Sequence, residues 1–505
     1  MILNIGQAIR IAARSLVAAW SLAALGLGEV SSQTPSALQV TGVWVARPIH
    51  NGEKDELVLQ LESGADGKLA AKFSNPALHI WELPIGSVAI EGNEVRVAAL
   101  GMALTYDGKA QTLSGTLPRS LVPVYSIPVI FSRVERLERR PRPEIEAPIA
   151  KPVWTYDAGS RLWADAAFGN GTVFVGGDDG RLHAFEARRG TQLWEFRAGG
   201  AIRGRPTLAG QDLFVGADDG FLYKLDAKTG QKQWSVRVDE KPIERLPIGN
   251  PKSRYDYRAS GAALQDGRLY TGTFGGHVVA LDPRDGTRLW DFAAGDSVLA
   301  TPAVASGRVY FGSFDGNVYA LDASSGGLLW KHDTGGAVSS AAAVDGGRVI
   351  VGSRSYDLLA LDALTGKPAW TQYFWFSWVE SPASVRGDVV YIGSSDAAKL
   401  SAFESRTGRR LWAIDAGGAA LAQPAVSDSR VFIGTLGTIH YMVPHRAVVL
   451  AADRKSGKVV WRYPVAAPPE VPSETTDYGF AGSPALGEGL VFVPSLDGHL
   501  YAFAQ

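Results

Sequence analysis

Few side chains in this 505-residue chain have the types and spacing that covalent or metal chemistry needs. Cysteine is absent, which removes disulfides, thiolate metal sites and a thiol nucleophile. His440 and His445, with Tyr441 beside them, place two imidazoles five residues apart, but no acid lies nearby to complete a ligand set. No Ser-His-Asp set, paired-carboxylate site or phosphate-binding loop stands out. Asp165, Arg203, Arg205, Arg258 and Glu380 carry mixed signs. Folded together, they would either pair with one another or form a ligand site. The run Tyr373-Phe374-Trp375-Phe376-Ser377-Trp378 is dense in rings, and Trp375 and Trp378 are the candidates for exposure. Exposed aromatics of this kind suit recognition of a peptide, glycan or protein.

The composition sets bounds on the elements that must position these groups. Apolar residues make up 46% and charged residues 20%, enough for buried cores and too apolar for disorder. The formal charge is −1 with signs interspersed, so a nucleic-acid partner has no electrostatic support. Gly 58 and Trp 14 are both high, the combination expected of many tight turns around a recurring large side chain. Arg10 and Arg14 precede an apolar run from Leu16 to Gly28, too short to span a bilayer, which takes about 20 residues. Residues 1–32 read as a signal peptide, with Val30 and Ser32 placing the cut before Gln33. The mature chain is then expected outside the cytoplasm, periplasmic or extracellular, with no later spanning segment and no lipid anchor through cysteine.

Residues 38–135 alternate apolar and polar side chains between turn signals such as Ala65-Asp66-Gly67 and Tyr106-Asp107-Gly108. About eight short strands follow, an antiparallel meander that closes into, or nearly into, a small barrel. Its opening Gly42-Val43-Trp44 and closing Leu113-Ser114-Gly115-Thr116 resemble the lipocalin-like β-modules fused ahead of some bacterial hydrolases. Residues 136–151 are rich in Pro, Arg and Glu and read as a semi-stiff linker.

From residue 152 to 505 the chain repeats. An acid, a glycine four residues on and a tryptophan eight residues on recur, as in Asp282/Gly286/Trp290. Seven copies end on Trp194, Trp234, Trp290, Trp330, Trp370, Trp412 and Trp461. Trp154 lies 40 residues before Trp194 without the prelude, and the prelude is cut off at the other end, after Leu496-Asp497-Gly498. An open sheet edge at Gln505 would be a liability. The strand at 153–157 is therefore expected to complete the last sheet and lock the ring. The architecture predicted is all-β: an eight-bladed propeller of four-stranded sheets behind a small antiparallel β-domain. The eight tryptophans are expected to be structural, each offering a wide face to the neighbouring blade.

The frame Lys224-Leu225-Asp226-Ala227-Lys228-Thr229-Gly230 through Trp234 resembles the pyrroloquinoline-quinone (PQQ) propeller repeat, over about 70% of the chain. That resemblance implies one of two classes. Quinoprotein dehydrogenases oxidise alcohols or sugars with PQQ and Ca²⁺ in the central channel. Other members, among them the propeller lipoprotein of outer-membrane β-barrel assembly and some sensor domains, use the same fold without a cofactor. The larger quinoproteins present adjacent cysteines, a Trp floor and Glu/Asn/Asp ligands for Ca²⁺. Here cysteine is absent, and of the propeller asparagines Asn170, Asn250 and Asn317 only Asn250 falls in a suitable loop. The lipidated cysteine of the assembly lipoprotein is missing too.

Three links are longer than the repeat requires: Lys241 to Tyr257, Leu436–Arg446 and Ala466–Tyr478. Blade connectivity maps all three to one face, together with Trp375, Trp378, His440, Tyr441 and His445, and it puts Asp165, Arg203, Arg205, Arg258 and Glu380 at the channel mouth. The expectation is a non-enzymatic envelope scaffold without cofactor or metal, binding a protein or glycan partner through that face. The alternatives are a divergent PQQ/Ca²⁺ dehydrogenase and a small-molecule sensor.

Overall fold

The computed structural model describes residues 37–50, 52–64, 67–117, 126–246, 253–439, 443–469 and 476–505. Residues 1–32, read as a signal peptide, and Asn250, His440 and Tyr441 lie outside the described residues. The chain divides into two compact units, residues 1–143 and 144–505.

The first unit is a closed eight-stranded barrel. Gly42–Ala46 pairs with both Ile127–Val134 and Leu57–Ser63, so no edge remains. Strict alternation drives it: in Met102–Asp107 every second side chain is buried, and Ile127–Val134 begins the same way. Trp44 is fully buried, donates its indole N–H to Val40 O at 2.9 Å and meets Tyr106 edge-on. The guanidinium of Arg133 lies 5.7 Å from the Trp44 ring and donates to Thr41 O at 2.6 Å. A side chain on Gly42 (φ 134°) would sit 3.1 Å from Arg133 Nε, which explains the glycine there.

One buried acid stands out in the barrel. Asp55 is 6% exposed, and burial raises its carboxyl from near 3.8 to about 7 even though Glu56 N–H and Asn75 Nδ2 donate to it. Between those values the folded state holds the extra proton, so stability falls as pH rises through the window and levels off above it. Asp55→Asn is expected to stabilise the barrel at pH 8 by on the order of 1 kcal/mol and to flatten its melting temperature between about pH 4 and 7. Calorimetric melting of both proteins across that range checks this.

The second unit is the eight-bladed propeller. In blade 4 the strands run outward as A (Ala303–Ala305), B (Arg308–Gly312), C (Asn317–Asp322) and D (Leu328–Asp333). B and C are buried almost throughout because neighbouring blades cover both faces, so they read as continuous apolar runs. The ring closes where Trp154–Asp157 pairs with His499–Ala504 (Trp154↔Ala502).

The repeat frame acts between blades. The carboxylate of Asp362 accepts the amide N–H groups of Leu364 and Thr365, and Gly366 takes φ 70°. A Cβ on Gly366 would lie 2.6 Å from the Trp330 ring of the preceding blade, whose indole N–H donates to Ala363 O at 3.0 Å. The same bond runs from Trp154 to Ala187, Trp194 to Ala227, Trp234 to Pro283, Trp290 to Ala323, Trp370 to Ser405 and Trp412 to Arg454. Trp461 packs on Phe432 and Phe503. Each acid–Gly turn thus receives the ring of the blade before it, which explains the recurrence of all three residue types together.

Within the stretch 136–151, Pro148–Ala150 lies along the outer strand of blade 7: Ala150 N–H donates to Arg462 O and Arg462 N–H to Pro148 O.

Candidate interaction site at the channel mouth

B–C turns and D–A links emerge on one face of the ring, and the long links gather there. Leu436–Ile439, in the B–C link of blade 7, pairs with Thr476–Gly479 from the link to blade 8. Two insertions distant in sequence therefore make one antiparallel ribbon. Arg161 ties it to the mouth by donating to Asp477 O at 2.9 Å, and burial raises the Asp477 carboxyl to about 7.

The link from blade 2 to blade 3 crosses the mouth. Tyr257 is buried and packs on Trp163, ahead of blade 1, at 5.0 Å between ring centroids. With Leu421, Leu436, Ala481 and Leu496 they form an apolar cluster. Tyr255 meets Trp378, in the link from blade 5 to blade 6, edge-on at 5.9 Å. Arg258 donates to Leu421 O in the link leading to blade 7. A segment rooted between two blades thereby touches links on the far side of the ring. Burial pushes the Tyr255 hydroxyl up to about 12 and raises that of Tyr257 well above its ordinary value.

Arginines hold this segment by its backbone. Arg354 donates to Arg254 O at 2.7 Å and Tyr255 O at 3.0 Å, Arg245 to Asp256 O, and Arg203 to Tyr257 O at 3.5 Å. Four consecutive carbonyls, residues 254–257, are met by three guanidinium groups. The contacts keep Tyr255 at φ 54°, a conformation a tyrosine adopts at a cost. Each arginine has its own acid: Glu380 for Arg354 (2.7 Å), Asp218 for Arg245 (2.7 Å) and Asp178 for Arg203 (3.0 Å). Burial raises the Asp178 carboxyl and lowers Arg203, but their mutual attraction opposes both shifts. Arg354 also stacks on Trp378 at 4.5 Å and Phe314 at 4.9 Å.

The residues singled out in the sequence are distributed as follows. Arg203, Arg258 and Glu380 belong to this network, and Ser339 Oγ adds a donor to Glu380. Asp165 accepts Ser483 N–H at 2.7 Å, and Arg205 donates to Gln423 Oε1 at 3.3 Å, from blade 2 toward blade 7. His445 is buried, with Nδ1 3.2 Å from Thr438 Oγ1 at the ribbon. Trp378 is half-buried beneath Arg354. The expected exposure of Trp375 is overturned: it is 8% exposed, edge-on to Tyr373 at 5.1 Å and against Phe376. The residue after it, Phe376, takes a left-handed φ of 50°.

Sequence reasoning missed Trp163, Asp178, Asp218, Arg245, Tyr255 and Arg354. A signal for some of them exists. In four blades the residue two before the glycine of the B–C turn joins the mouth, Asp178 before Gly180, Asp218 before Gly220, Phe314 before Gly316 and Leu496 before Gly498, and Arg354 does so from the same place in blade 5. Nearby, between blades 2 and 3, a groove of about 780 Å³ is lined by Arg237, Lys241, Glu244, Phe274, His277 and Asp291.

PQQ with Ca²⁺ needs an open aromatic face and six to eight converging oxygens. Tyr257 covers Trp163, and Asp178, Asp218 and Glu380 are each engaged by an arginine. Among the described residues no group of three or more His, Asp or Glu is placed to hold a metal. The residues at the mouth do not fit that pair.

Eight tryptophan-locked blades with a mouth filled from within define a propeller of the PQQ-repeat class. The sequence model for the family described as outer membrane protein assembly factor BamB matches residues 145–255, 249–336 and 314–505, and the chain belongs to that family. No curated protein sequence matches it significantly. Among solved structures, BamB from Moraxella catarrhalis is similar at 18% identity and TM-score 0.54, covering 71% of this chain and 98% of that one. The computationally designed Ika8 protein shares 18% identity at TM-score 0.55 over 69% of this chain and 98% of its own. Quinohemoprotein alcohol dehydrogenase from Comamonas testosteroni shares 13% at TM-score 0.52, covering 70% and 76%. At these identities the structures share the fold with this chain, and the fold serves both binding proteins and enzymes.

Proposed function

We propose that this chain is a non-enzymatic scaffold of the cell envelope that holds a partner polypeptide on its insertion-bearing face, with the barrel as an adaptor. The observation that carries this reading is the mouth itself. Arginines from different parts of the ring hold four successive backbone carbonyls there, and the aromatic slots between them are filled by the chain's own tyrosines. A quinone would have to displace that segment and break its ion pairs. A partner needs only the ribbon and loops beside it, where rigid blades present irregular backbone for recognition. Family membership and the leader-like N-terminus support an exported location. Among the described residues no helix is long and apolar enough to cross a membrane.

The test is photo-crosslinking in the native host. A reactive side chain in place of Lys241 or Ala467, both exposed near the insertions, is expected to give discrete polypeptide adducts. The same group at Arg284, in the C–D turn of blade 3 on the opposite face, should give none. Absence of adducts at the first two positions overturns the polypeptide reading, as a glycan partner would. Saturable PQQ binding in the presence of Ca²⁺, with dye-linked alcohol oxidation, overturns the scaffold reading.

A further inference from the structure

Strand D is the outermost strand of every blade, and its outer edge has no partner within its sheet. An unpaired edge invites a further strand, and proteins guard such edges with charge or proline. Here the guard sits two residues before the repeat tryptophan. The residue there is charged or proline in five of the eight blades (Pro152, Lys232, Arg288, Pro368 and Arg410) and the polar Gln192 in a sixth. Two blades depart from the rule, with Val459 in blade 7 and Leu328 in blade 4.

Blade 7 shows what an unguarded edge accepts. Ile149 bridges Arg462 in parallel, and backbone bonds of 2.8 and 2.9 Å flank the bridge, so the chain covers this edge with its own extended segment. Blade 4 has no such cover among the described residues. Leu328 and Leu329 are 50% and 47% exposed, side by side, at the start of Leu328–Asp333. The two remaining exposed residues of this strand are Lys331 and Asp333, of opposite charge and two apart.

We propose that the outer edge of blade 4 is a self-association surface, on which a second copy of this chain pairs antiparallel along Leu328–Asp333. The charges select the occupant. In a two-fold register centred on His332, Lys331 of each copy lies opposite Asp333 of the other, so the pair forms twice. The leucines of each strand then extend over the turn that follows Asp333 in the other copy and leave water. A six-residue edge is a small interface, so the dimer forms reversibly and dissociates on dilution.

Sedimentation of the full mature chain between about 1 and 100 μM reads the association directly. The expected result is a concentration-dependent monomer–dimer equilibrium. Leu328→Lys restores the guard that Lys232 supplies in blade 2 and should weaken the dimer at least ~10-fold with the melting temperature unchanged. Lys331→Glu, which sets two acids face to face, should weaken it similarly. A chain that stays monomeric throughout leaves this edge to some other protein and overturns the proposal. A dimer that survives either substitution in a protein that melts normally overturns it as well.

Discussion

Trp330→Ala should lower the stability of the propeller by about 3–5 kcal/mol, the range for removing a large buried aromatic. Trp330 is 9% exposed and fills the seam between blades 4 and 5, against Tyr310 at 5.9 Å and the turn at Gly366. The hydrogen bond it loses matters less than the void. Ala363 O also accepts from the Tyr310 hydroxyl at 3.1 Å, so the carbonyl keeps a partner when the indole goes. Trp330→Phe keeps most of the volume and should cost clearly less. Urea unfolding of both variants decides between the two contributions: equal losses would mean that the indole N–H, not the ring, holds the seam. Because the same contact recurs around the ring, the effect should transfer to Trp290, which meets Gly326 and Ala323 in the same way.

The second large effect is expected at Asp218. Its carboxylate receives Arg245 through two bonds, at 2.7 and 2.8 Å, and lies 3.8 Å from Arg203. Asp218 and Arg245 have side chains only 8% exposed. Removing one member of a buried pair leaves the other charge without compensation, which costs about 3–5 kcal/mol. Asp218→Ala should therefore weaken the anchoring at the channel mouth by that order. It should also release the mouth segment, because Arg245 and Arg203 are the groups that hold the carbonyls of Asp256 and Tyr257. Hydrogen exchange gives the discriminating readout. Amides of residues 253–258 should exchange ~100-fold faster while strands B and C of blades 4 to 6 stay protected. A uniform change across the ring would show that Asp218 supports the blades and not the segment.

Both effects bear on how far sequence alone could reach. The tryptophan seam was legible because each of its parts answers a local demand. A carboxylate at 362 caps two amides, a glycine at 366 accepts a left-handed φ, and a ring eight residues on supplies area for one more contact. Repetition turned those local demands into a count of blades, and the missing prelude before Trp154 showed where the ring closes. The barrel was legible for a similar reason, since a side-chain period of two forces alternate residues to one face.

The mouth was legible only in part. Asp165, Arg203, Arg205, Arg258 and Glu380 were identified from their place at the starts of blades, but their partners lie elsewhere in the chain. Arg354 meets carbonyls 99 and 100 residues away, and Arg258 reaches a carbonyl 163 residues on. Trp375 shows the same limit from the other side: its ring is buried against Tyr373 and Phe376, a packing outcome that composition does not encode.

What the sequence determined by itself was the class of architecture, the number of blades, their closure and the face on which long links collect. These follow from periodicity, turn chemistry and chain connectivity, which act over a few residues and then repeat. The tertiary structure alone decided that the link between blades 2 and 3 fills the channel mouth, that two distant insertions join as a ribbon, and that Asp178, Asp218 and Glu380 each face an arginine. Those outcomes depend on which loops meet across a ring, and such meetings are set by packing in three dimensions, for which a one-dimensional pattern carries no period.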